Sequence, residues 1–346
     1  MKKSRGRRGG SQRAVNEENW ERLLDAHGPA EHDPGVSAQP MAAGDAASAA
    51  IVISVSSGRC KAFRDGVEID CAVPADMAVR QKSLLAVGDR VNISDEGGLT
   101  RITSVLPRHS VLARPDPLHA HRQRLIAANV DVVVHVVSLK TPPLRPRLID
   151  RFLIAIQRGG AQPIICVNKI DLLEPRARAE ELRKLEDYRA LDIPVVPCST
   201  QTGEGIDILR AAVEGKTCAL VGHSGVGKSS ILNALDKSLD LVTNTLHKRG
   251  TGRHTTSAST LYDLGEGTWI IDTPGIREFG LWNLDRDSLR DYFPEFEEPS
   301  QSCRFTDCTH VHEPNCEVKE QVEQGSISRA RYDTYVRLYE DVGQES

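Results

Sequence analysis

The sequence has no long apolar run, few aromatic residues and no regular cysteine framework. Within 346 residues, no stretch approaches the roughly 20 apolar residues that a membrane helix needs, so we expect no membrane contact. The basic start, MKKSRGRRGGSQR, is followed by no apolar segment, so we expect no secretory signal. Aromatic residues make up only 4% of the chain. Hydrophobic residues make up 39% and charged residues 27%, a balance typical of soluble globular proteins. We therefore expect a cytoplasmic protein.

The eight cysteines fall into two groups with different expected roles. Cys303, Cys308 and Cys316 cluster with His310 in a C-x₄-C-x-H-x₅-C array. Three thiolates and one imidazole suit tetrahedral Zn²⁺ and leave no open position, which predicts one structural zinc ion per chain. His312 is the alternative to His310 as a ligand. The other cysteines stand singly in or beside apolar segments and are expected to pack as small hydrophobic residues in a reducing compartment: Cys60, Cys71, Cys166, Cys198 and Cys218.

The first half of the chain shows two changes of pattern. Residues 1–49 lack periodicity and predict a mobile basic and Ala-rich arm, either a solubilising tail or an electrostatic contact for nucleic acid. Residues 50–108 alternate short β-rich runs with Gly, Asp and Asn turn signals. This rhythm fits a five-stranded barrel of the oligonucleotide-binding (OB) type. A small β-domain that only packs on its neighbour is the alternative.

The second half predicts an α/β domain followed by helices. Residues 109–282 alternate apolar strands with helices, as in a doubly wound domain with ligands at the carboxyl ends of its strands. One helix is expected over PRLIDRFLIAIQRGG, ending at Gly159, and another over RAEELRKLEDYRAL. Residues 283–346 have no strand pattern and predict a small helical domain that the zinc ion stabilises.

The strongest motif is GHSGVGKS, which lies between the apolar strand TCALV and the helical segment SSILNAL. A P-loop requires this context, since its glycines let backbone N–H groups surround phosphate oxygens at a helix N-terminus. Lys228 is expected to reach the β- and γ-phosphates and Ser229 to ligate Mg²⁺. The predicted phosphate-binding residues are Gly222, His223, Ser224, Gly225, Val226, Gly227, Lys228, Ser229 and Ser230.

Two further motifs identify the base as guanine. In NKID, Asp171 is suited to accept from guanine N1–H and the 2-amino group, which adenine lacks, so ATP would leave the carboxylate unpaired. Asn168 is expected to hold the other edge of the base, and the Lys169 stem to pack along it. In CSTQTGEG, Ser199 and Thr200 are the positions at which a backbone N–H would contact guanine O6.

The motif DTPG and the Gly/Thr-rich stretch before it predict the segments that sense the γ-phosphate. Asp272 is expected to reach Mg²⁺ through water, and the Gly275 N–H to contact the γ-phosphate. Thr256, or alternatively Thr255, would coordinate Mg²⁺. Ile276 stands where Ras-like enzymes carry the glutamine that orients water. In its place His254 is a candidate catalytic residue, although it could instead contact RNA or solvate its loop.

The order of these motifs predicts a circular permutation. NKID and the Thr-Gly-Glu-Gly loop precede the P-loop, whereas they follow it in ordinary GTPases. The site can survive because the termini of such a domain lie at its surface and can be rejoined. The DTPG segment then leads directly into the zinc-bearing segment, so nucleotide state could move that part of the chain.

The combined series of motifs is similar to one known family. RPDPLHAHRQRLIAANVD, PPLRPRLIDRF, NKIDLL, GHSGVGKSS, GRHTT, DTPGIREFGLW and CRFTDCTHVHEPNC occur in this order and resemble the ribosome small subunit-dependent GTPase A family (RsgA, YjeQ or YloQ). The similarity extends over about residues 50–340. It differs at EPNC, where Asn315 replaces the more usual glycine, and asparagine tolerates the left-handed conformation that glycine would supply.

This resemblance implies an OB barrel, a permuted GTPase domain and a C-terminal zinc domain. It also implies a role in late maturation of the small ribosomal subunit, with GTP hydrolysis stimulated by that subunit and driving release. The family's proposed catalytic histidine corresponds to His254. Contacts to 16S rRNA are expected to use backbone and shape, because Phe63 is the one obvious aromatic of the barrel. Basic residues are available in and around the barrel at Arg80, Lys82, Arg101, Arg108 and Arg114.

A second hypothesis competes with this enzymatic role. The chain could be a nucleotide-gated rRNA-binding placeholder in which hydrolysis is incidental. Nothing in the sequence demands more than a monomer.

Overall fold

The computed structural model describes residues 49–56, 58–74, 85–116, 119–236, 260–272 and 284–344. Residues 1–48 of the predicted arm, Arg80 and Lys82 lie outside these ranges. None of the helices in these ranges has both the length and the apolar character of a membrane span. The strands are β1 Ala50–Ser56, β2 Arg59–Arg64, β3 Val67–Ala72, β4 Arg90–Glu96, β5 Leu99–Val105, β6 Val111–Asp116, β7 His119–Ala128, β8 Val132–Ser138, β9 Gln162–Asn168, β10 Val195–Pro197, β11 Thr217–Val221, β12 Thr260–Asp263 and β13 Trp269–Asp272.

The helices of the described chain are concentrated in its second half. Short 3₁₀ turns lie at Ile170–Leu172, Arg290–Tyr292 and Pro294–Phe296. The α-helices are α1 Pro146–Arg158, α2 Pro175–Arg183, α3 Glu186–Ala190, α4 Ile206–Val213, α5 Lys228–Leu235, α6 Arg286–Leu289, α7 Glu297–Ser300, α8 Glu317–Gln324 and α9 Arg329–Gln344.

The first five strands close into the barrel that the sequence predicts. They pair in the order β1-β2-β3-β5-β4, and β4 pairs back with β1. The β2–β3 hairpin turns through Asp65-Gly66 and the β4–β5 hairpin through Gly97-Gly98, all with positive φ, as two-residue hairpin turns require. Alternate residues of β2 are buried, because Cys60 and Ala62 point into the barrel.

The α/β sheet has the order β10-β9-β8-β11-β13-β12. The first five strands of this order run parallel, and β12 is antiparallel to β13. Every residue of β8 is buried, as expected for a strand covered on both faces. The β6–β7 hairpin, which precedes β8, was not predicted. Its segment has Arg and His at several positions, so it lacks a clean apolar alternation.

Helix α1 matches its predicted apolar face, whereas the next predicted helix is wrong. In α1, Ile149, Phe152, Leu153 and Ile156 are buried and Leu148 is partly buried. The expected helix over 178–191 is broken into α2 and α3. The N–H groups of Lys184 and Leu185 donate to carbonyl oxygens three residues earlier, at Glu181 and Leu182, so the chain winds more tightly here than an α-helix does. Leu185 and Tyr188 are buried on one side, as their spacing of three residues predicts.

Gly159 ends α1, as predicted, but in an αR conformation. The left-handed residue is the next one, Gly160, with φ +76°. A Cβ on Gly159 would clash with the carbonyl oxygen of Val111 at the start of β6. Glycine is therefore required here for close packing of the helix end on the hairpin.

The C-terminal helices form a compact group around aromatic side chains. Phe293, Phe296 and Tyr335 are buried, and the two phenylalanine rings stack with centroids 5.3 Å apart. The Tyr335 ring meets both edge-on, at 5.2 Å and 5.0 Å. The acidic segment DYFPEFEEP therefore contributes core residues as well as charge.

A buried ion network joins these helices to the α/β sheet. Arg331 of α9 donates to Asp150 Oδ1 on α1 at 2.8 Å and to both carboxylate oxygens of Glu295. The hydroxyl of Tyr188, on α3, donates to the same Asp150 oxygen at 2.9 Å. Arg331 and Asp150 are 5% and 1% exposed, so neither charge has water to replace a lost partner. The network therefore fixes the C-terminal helices against α1.

We expect Arg331→Met to lower the free energy of unfolding by about 3–5 kcal/mol, because it leaves a buried carboxylate without its partner. The measurement is urea denaturation followed by circular dichroism. Arg329→Met, at an exposed position of the same helix, is the matched control and should leave the midpoint unchanged. Equal midpoints for the two variants would show that the network adds no stability.

Candidate functional site

The motifs predicted to bind nucleotide follow strands that end at one edge of the sheet. β11 leads into the glycine-rich loop, β9 ends at Asn168, Ser199 follows β10, and β13 ends at Asp272. These strands run parallel, so their carboxyl ends lie side by side. Residues far apart in the chain are thus brought to one crevice.

Two glycines let the P-loop approach its neighbours closely. Gly222 has φ +138°, and a Cβ there would clash with the carbonyl oxygen of Val136 on β8. Gly227 has φ +97°, and a Cβ there would clash with Asn168 Nδ2. Gly225 also has positive φ, at +85°, but faces open space. The loop can therefore pack against β8 and the NKID segment only because Gly222 and Gly227 lack side chains.

Lys228 begins α5 and folds back over the loop. Its Nζ donates to the carbonyl oxygens of Gly222 at 2.6 Å and His223 at 3.0 Å. The ammonium group is thereby held beside the backbone turn that is suited to phosphate.

Asn168 and Lys169 join the base-reading segment to the P-loop. Asn168 is fully buried, and its Nδ2 donates to the Val226 carbonyl oxygen at 2.9 Å. Lys169 has a left-handed backbone, and its Nζ donates to the carbonyl oxygens of Gly225 and, at 3.1 Å, Thr141. The two segments are 56–58 residues apart in sequence and are fixed against each other by these bonds.

Asp171 is oriented by the loop after β10. The hydroxyl of Ser199 donates to Asp171 Oδ1 at 2.5 Å. The same hydroxyl accepts the backbone N–H groups of Gln201 and Thr202, each at 3.2 Å. Ser199 is fully buried, so water does not compete for these bonds. The carboxylate is therefore held in place before any base arrives.

The remaining predicted nucleotide residues divide between described and undescribed positions. Ser229 and Ser230 lie in the first turn of α5, and Ser229 is exposed, as is Ser224. His223 and Thr200 are partly buried, and His223 Nδ1 lies 2.8 Å from the Ser224 carbonyl oxygen. The predicted catalytic and γ-phosphate-sensing positions lie outside the described residues: His254, Thr255, Thr256, Gly275 and Ile276.

A buried histidine beneath the P-loop was missed by the sequence reasoning. His135 is 1% exposed on β8, and its ring lies 4.3 Å from that of Phe152. Burial and, secondarily, the charge of Lys228 lower the pKa of His135 to about 3. The imidazole is therefore neutral at physiological pH and adds no second charge beside Lys228. No motif marks this residue, since it interrupts an otherwise apolar strand.

The four residues of the Cys/His array come together as a candidate metal centre. The Sγ atoms of Cys303, Cys308 and Cys316 and a ring nitrogen of His310 all lie within 4.8 Å of one another. His310 Nδ1 is 3.4 Å from Cys316 Sγ and 3.7 Å from Cys303 Sγ, and the two sulfurs are 3.9 Å apart. Ligands about 2.3 Å from a tetrahedral zinc ion lie about 3.8 Å apart, so the donor set fits this metal. His312 is exposed.

Hydrogen bonds from neighbouring residues fix the loop that carries these ligands. Tyr332 and Tyr335 of α9 donate to the carbonyl oxygens of His310, at 2.8 Å, and Thr309, at 2.6 Å. Glu313 accepts from the backbone N–H and hydroxyl of Thr309. Against the effect of burial, its own backbone N–H and then these bonds from Thr309 lower the pKa of Glu313 to about 2. Asn315 has φ +55°, the left-handed conformation expected at the position where glycine is more usual.

The chain is similar in sequence to proteins of one known family. The family model for the RsgA GTPase matches residues 105–282. A relative from Gemmatimonas aurantiaca, called small ribosomal subunit biogenesis GTPase RsgA, is 42% identical over 75% of this chain and 84% of its own length. The chain belongs to the RsgA GTPase family. Another RsgA with the same full name, from Dickeya dadantii, is 36% identical over 97% of this chain and 94% of its own length.

Solved structures of RsgA-type proteins agree with this assignment. The crystal structure of YjeQ from Thermotoga maritima has a TM-score of 0.71 and 33% identity, over 85% of this chain and 98% of that chain. YloQ, described as a circularly permuted GTPase, has a TM-score of 0.68 and 28% identity, over 86% of this chain and 96% of that chain. The predicted family, the permuted fold and the assignment as a GTPase are therefore confirmed.

We expect Asp171→Asn to weaken GTP binding at least 100-fold, because the amide cannot accept both guanine donors. Xanthosine triphosphate, which carries an oxygen in place of the 2-amino group, should then bind better than GTP. Equilibrium titration with fluorescent nucleotides measures both affinities. Asp207→Asn, on the exposed side of α4, is the control. Unchanged GTP affinity in Asp171→Asn would contradict the assigned role.

We expect His310→Ala to lose bound zinc and to lower the thermal midpoint of unfolding, because one of four ligands is removed. His312→Ala, two residues away and exposed, should keep one zinc ion per chain. Elemental analysis of the purified variants gives the stoichiometry. Zinc loss in His312→Ala but not in His310→Ala would reverse the ligand assignment.

Proposed function

We propose that the chain hydrolyses GTP with Mg²⁺ and acts in late maturation of the small ribosomal subunit, which stimulates hydrolysis and is then released. The observation that supports this best is a pair of hydrogen bonds, the partly buried Ser199–Asp171 bond and the buried Asn168–Val226 bond. The first orients a carboxylate for guanine, and the second fixes it relative to the P-loop. The name of the relatives, small ribosomal subunit biogenesis GTPase RsgA, supports the small subunit as the partner.

Guanine selectivity follows from the orientation of Asp171. Asp171 is exposed in this structure, and a bound base would cover it. Facing adenine, its carboxylate would find neither of the two donors that guanine offers. Leaving such a group unpaired costs about 1–3 kcal/mol, and more for a charged group. Sites built around a specific hydrogen bond reject analogues that lack it by roughly 10⁴–10⁵. We therefore assign base recognition to Asn168, Lys169 and Asp171, with Ser199 and Thr200 completing the loop around the base.

Phosphate binding is assigned to the P-loop, residues 222–230. On nucleotide binding, Lys228 exchanges its bonds to Gly222 and His223 for phosphate oxygens, at the N-terminus of α5. Mg²⁺ would neutralise charge that develops on the phosphates. Its proposed ligands are the exposed hydroxyl of Ser229 and Thr256, with Thr255 as the alternative. Asp272 and Gly275 are assigned to the water shell of the metal and to the γ-phosphate.

Water positioning is assigned to His254. Ile276 cannot orient water, so the chain needs another group or a surface of the subunit for this step. We expect slow hydrolysis by the free protein for this reason.

The metal centre is proposed to hold one structural zinc ion. Cys303, Cys308, His310 and Cys316 supply all four ligands, which leaves no open position for substrate. Burial lowers the pKa of His310 to about 4, so the imidazole is in the neutral form that binds metal. The ion would fix the loop on which α9 packs.

Contact with 16S rRNA is proposed to involve the barrel, with Arg101 exposed on β5. Another of the basic residues, Arg108, and the one obvious aromatic of the barrel, Phe63, both have partners within the chain. Arg108 pairs with the buried carboxylate of Asp89, with Nε 2.6 Å from Oδ1. Phe63 lies against Trp269, with ring centroids 5.2 Å apart. Shape and backbone contacts therefore remain the better hypothesis than base stacking on Phe63.

The proposed organisation is an arm at 1–49, an OB domain at 50–108, a GTPase domain at 109–282 and a zinc domain at 283–346. We propose a cytoplasmic monomer, since a single chain supplies the base-reading, phosphate-binding and metal-binding residues.

We expect slow hydrolysis of GTP, negligible hydrolysis of ATP, and stimulation of GTP hydrolysis by small but not large ribosomal subunits. Steady-state phosphate release with each nucleotide and each subunit measures this. GTP turnover that responds to neither subunit would refute the ribosome-linked part of the proposal. ATP turnover equal to GTP turnover would refute the role of Asp171.

The absence of the usual glutamine at Ile276 also favours an alternative, in which the chain is an rRNA-binding placeholder and hydrolysis is incidental. His254→Ala separates the two. If hydrolysis drives release, this variant should bind GTP and the subunit normally and remain bound, as judged by co-sedimentation. Normal release by His254→Ala would favour the placeholder.

A further inference from the structure

Strand β1 belongs to two hydrophobic cores at once. Ala50 and Val52 point into the barrel and are fully buried there. Ile53, the next residue, is 7% exposed and belongs to the apolar cluster that contains Leu261 of β12 and Ile271 of β13. Adjacent strand residues point to opposite faces, so one strand serves the barrel and the α/β sheet together. The barrel is therefore packed into the GTPase core.

Backbone pairing reinforces this packing. β4 pairs only with Ala50 and Ile51 at the start of β1, which leaves the later part of that edge open. β12 pairs with this later part of β1 in antiparallel orientation, with Ser54 opposite Thr260. The barrel and the α/β strands thus form one continuous sheet of eleven strands.

Side chains from a second barrel strand add to the contact. Phe63 of β2 meets the ring of Trp269 of β13 edge-on, at 5.2 Å and 70°. Aromatic pairs of this geometry contribute beyond the apolar area that they bury. The contact therefore reaches both strands of the β12–β13 hairpin.

This hairpin lies between the two segments predicted to sense the γ-phosphate. Thr256 precedes β12 by four residues, and Gly275 follows the end of β13 by three. Their own structure lies outside the described residues, but the strands that adjoin them are the ones that contact the barrel. A shift of the hairpin on exchange of GTP for GDP would act directly on β1.

We propose that the β1–β12 pairing, with Ile53 and the Phe63–Trp269 contact, couples the nucleotide state of the GTPase site to the barrel. This inference rests on the proposed function, because it gives the barrel a role in the response to the small subunit. Coupling of this kind is reciprocal for binding. If nucleotide binding changes the conformation of the barrel, the affinity of the barrel for its partner depends on whether GTP or GDP is bound.

Hydrogen–deuterium exchange of the full chain, loaded with GDP or with a non-hydrolysable GTP analogue, tests the coupling without ribosomes. In the parent chain, peptides covering residues 50–64 should exchange more slowly with the analogue. In Ile53→Ala and in the milder Phe63→Leu, this difference should disappear while nucleotide affinity is kept. The matched control is Val52→Ala, which truncates the neighbouring residue on the barrel side and should keep the difference.

Binding to small subunits supplies the second measurement. The ratio of subunit affinities in the analogue and GDP states should fall about fivefold or more in Ile53→Ala but not in Val52→Ala. Barrel exchange that is the same in both nucleotide states of the parent chain would overturn the inference. So would a nucleotide-dependent difference that survives in both Ile53→Ala and Phe63→Leu. A parent chain that small subunits do not stimulate would refute the proposed function and leave the exchange result standing.

Discussion

The nucleotide site depends on the position of β11 between β8 and β13. Its register places Cys218 opposite Val132 on one side and Ile270 on the other. Because all three strands are parallel, their carboxyl ends stay aligned whichever strand comes first in the chain. The permutation changes the order of the segments along the chain and leaves their arrangement at this edge intact. The positions of the loops that line the crevice therefore depend on the parallel pairing of β8, β11 and β13.

Contacts between segments that are distant in sequence follow a second rule: buried polar groups form hydrogen bonds with one another. Asn168 and Ser199 have no exposed surface. Each forms a hydrogen bond with a residue far away in the sequence, 58 and 28 positions apart respectively. Asp150 and Arg331 repeat this arrangement with full charges, 181 residues apart. A buried polar group that lost its partner would have no water to replace it. The fold therefore tolerates little slippage between these segments.

The sequence predicted what depends on local pattern and short motifs. Turn residues at Asp65-Gly66 marked a hairpin, and the apolar run of β8 marked a buried strand. The clustering of three cysteines predicted a metal centre with either His310 or His312 as the fourth ligand, because ligands close to one another in sequence need little tertiary information. The structure places His310 with the cysteines. Local signals failed at Lys184 and Leu185, where a turn closed by hydrogen bonds to the third preceding residue divides the expected helix although its apolar residues keep helical spacing.

Partners that are distant in sequence were not predictable from pattern. Nothing in the segment around Asp150 marks Arg331 as its partner, and nothing around Phe63 marks Trp269 as the ring beside it. His135 looked like part of an apolar strand. The residues His254, Thr256 and Gly275 remain predictions, since they lie outside the described ranges.

The shared strand β1 has a practical consequence for dissecting this protein. A fragment that starts at residue 109 would retain the P-loop, NKID and the zinc-bearing segment, yet it would lack the strand that covers the outer edge of β12. Backbone donors and acceptors on β12 and the apolar surface around Leu261 would then face solvent, and such an edge invites pairing between molecules. Self-association or low solubility of that fragment would reflect the missing strand, so its inactivity would say little about the chemistry of the site.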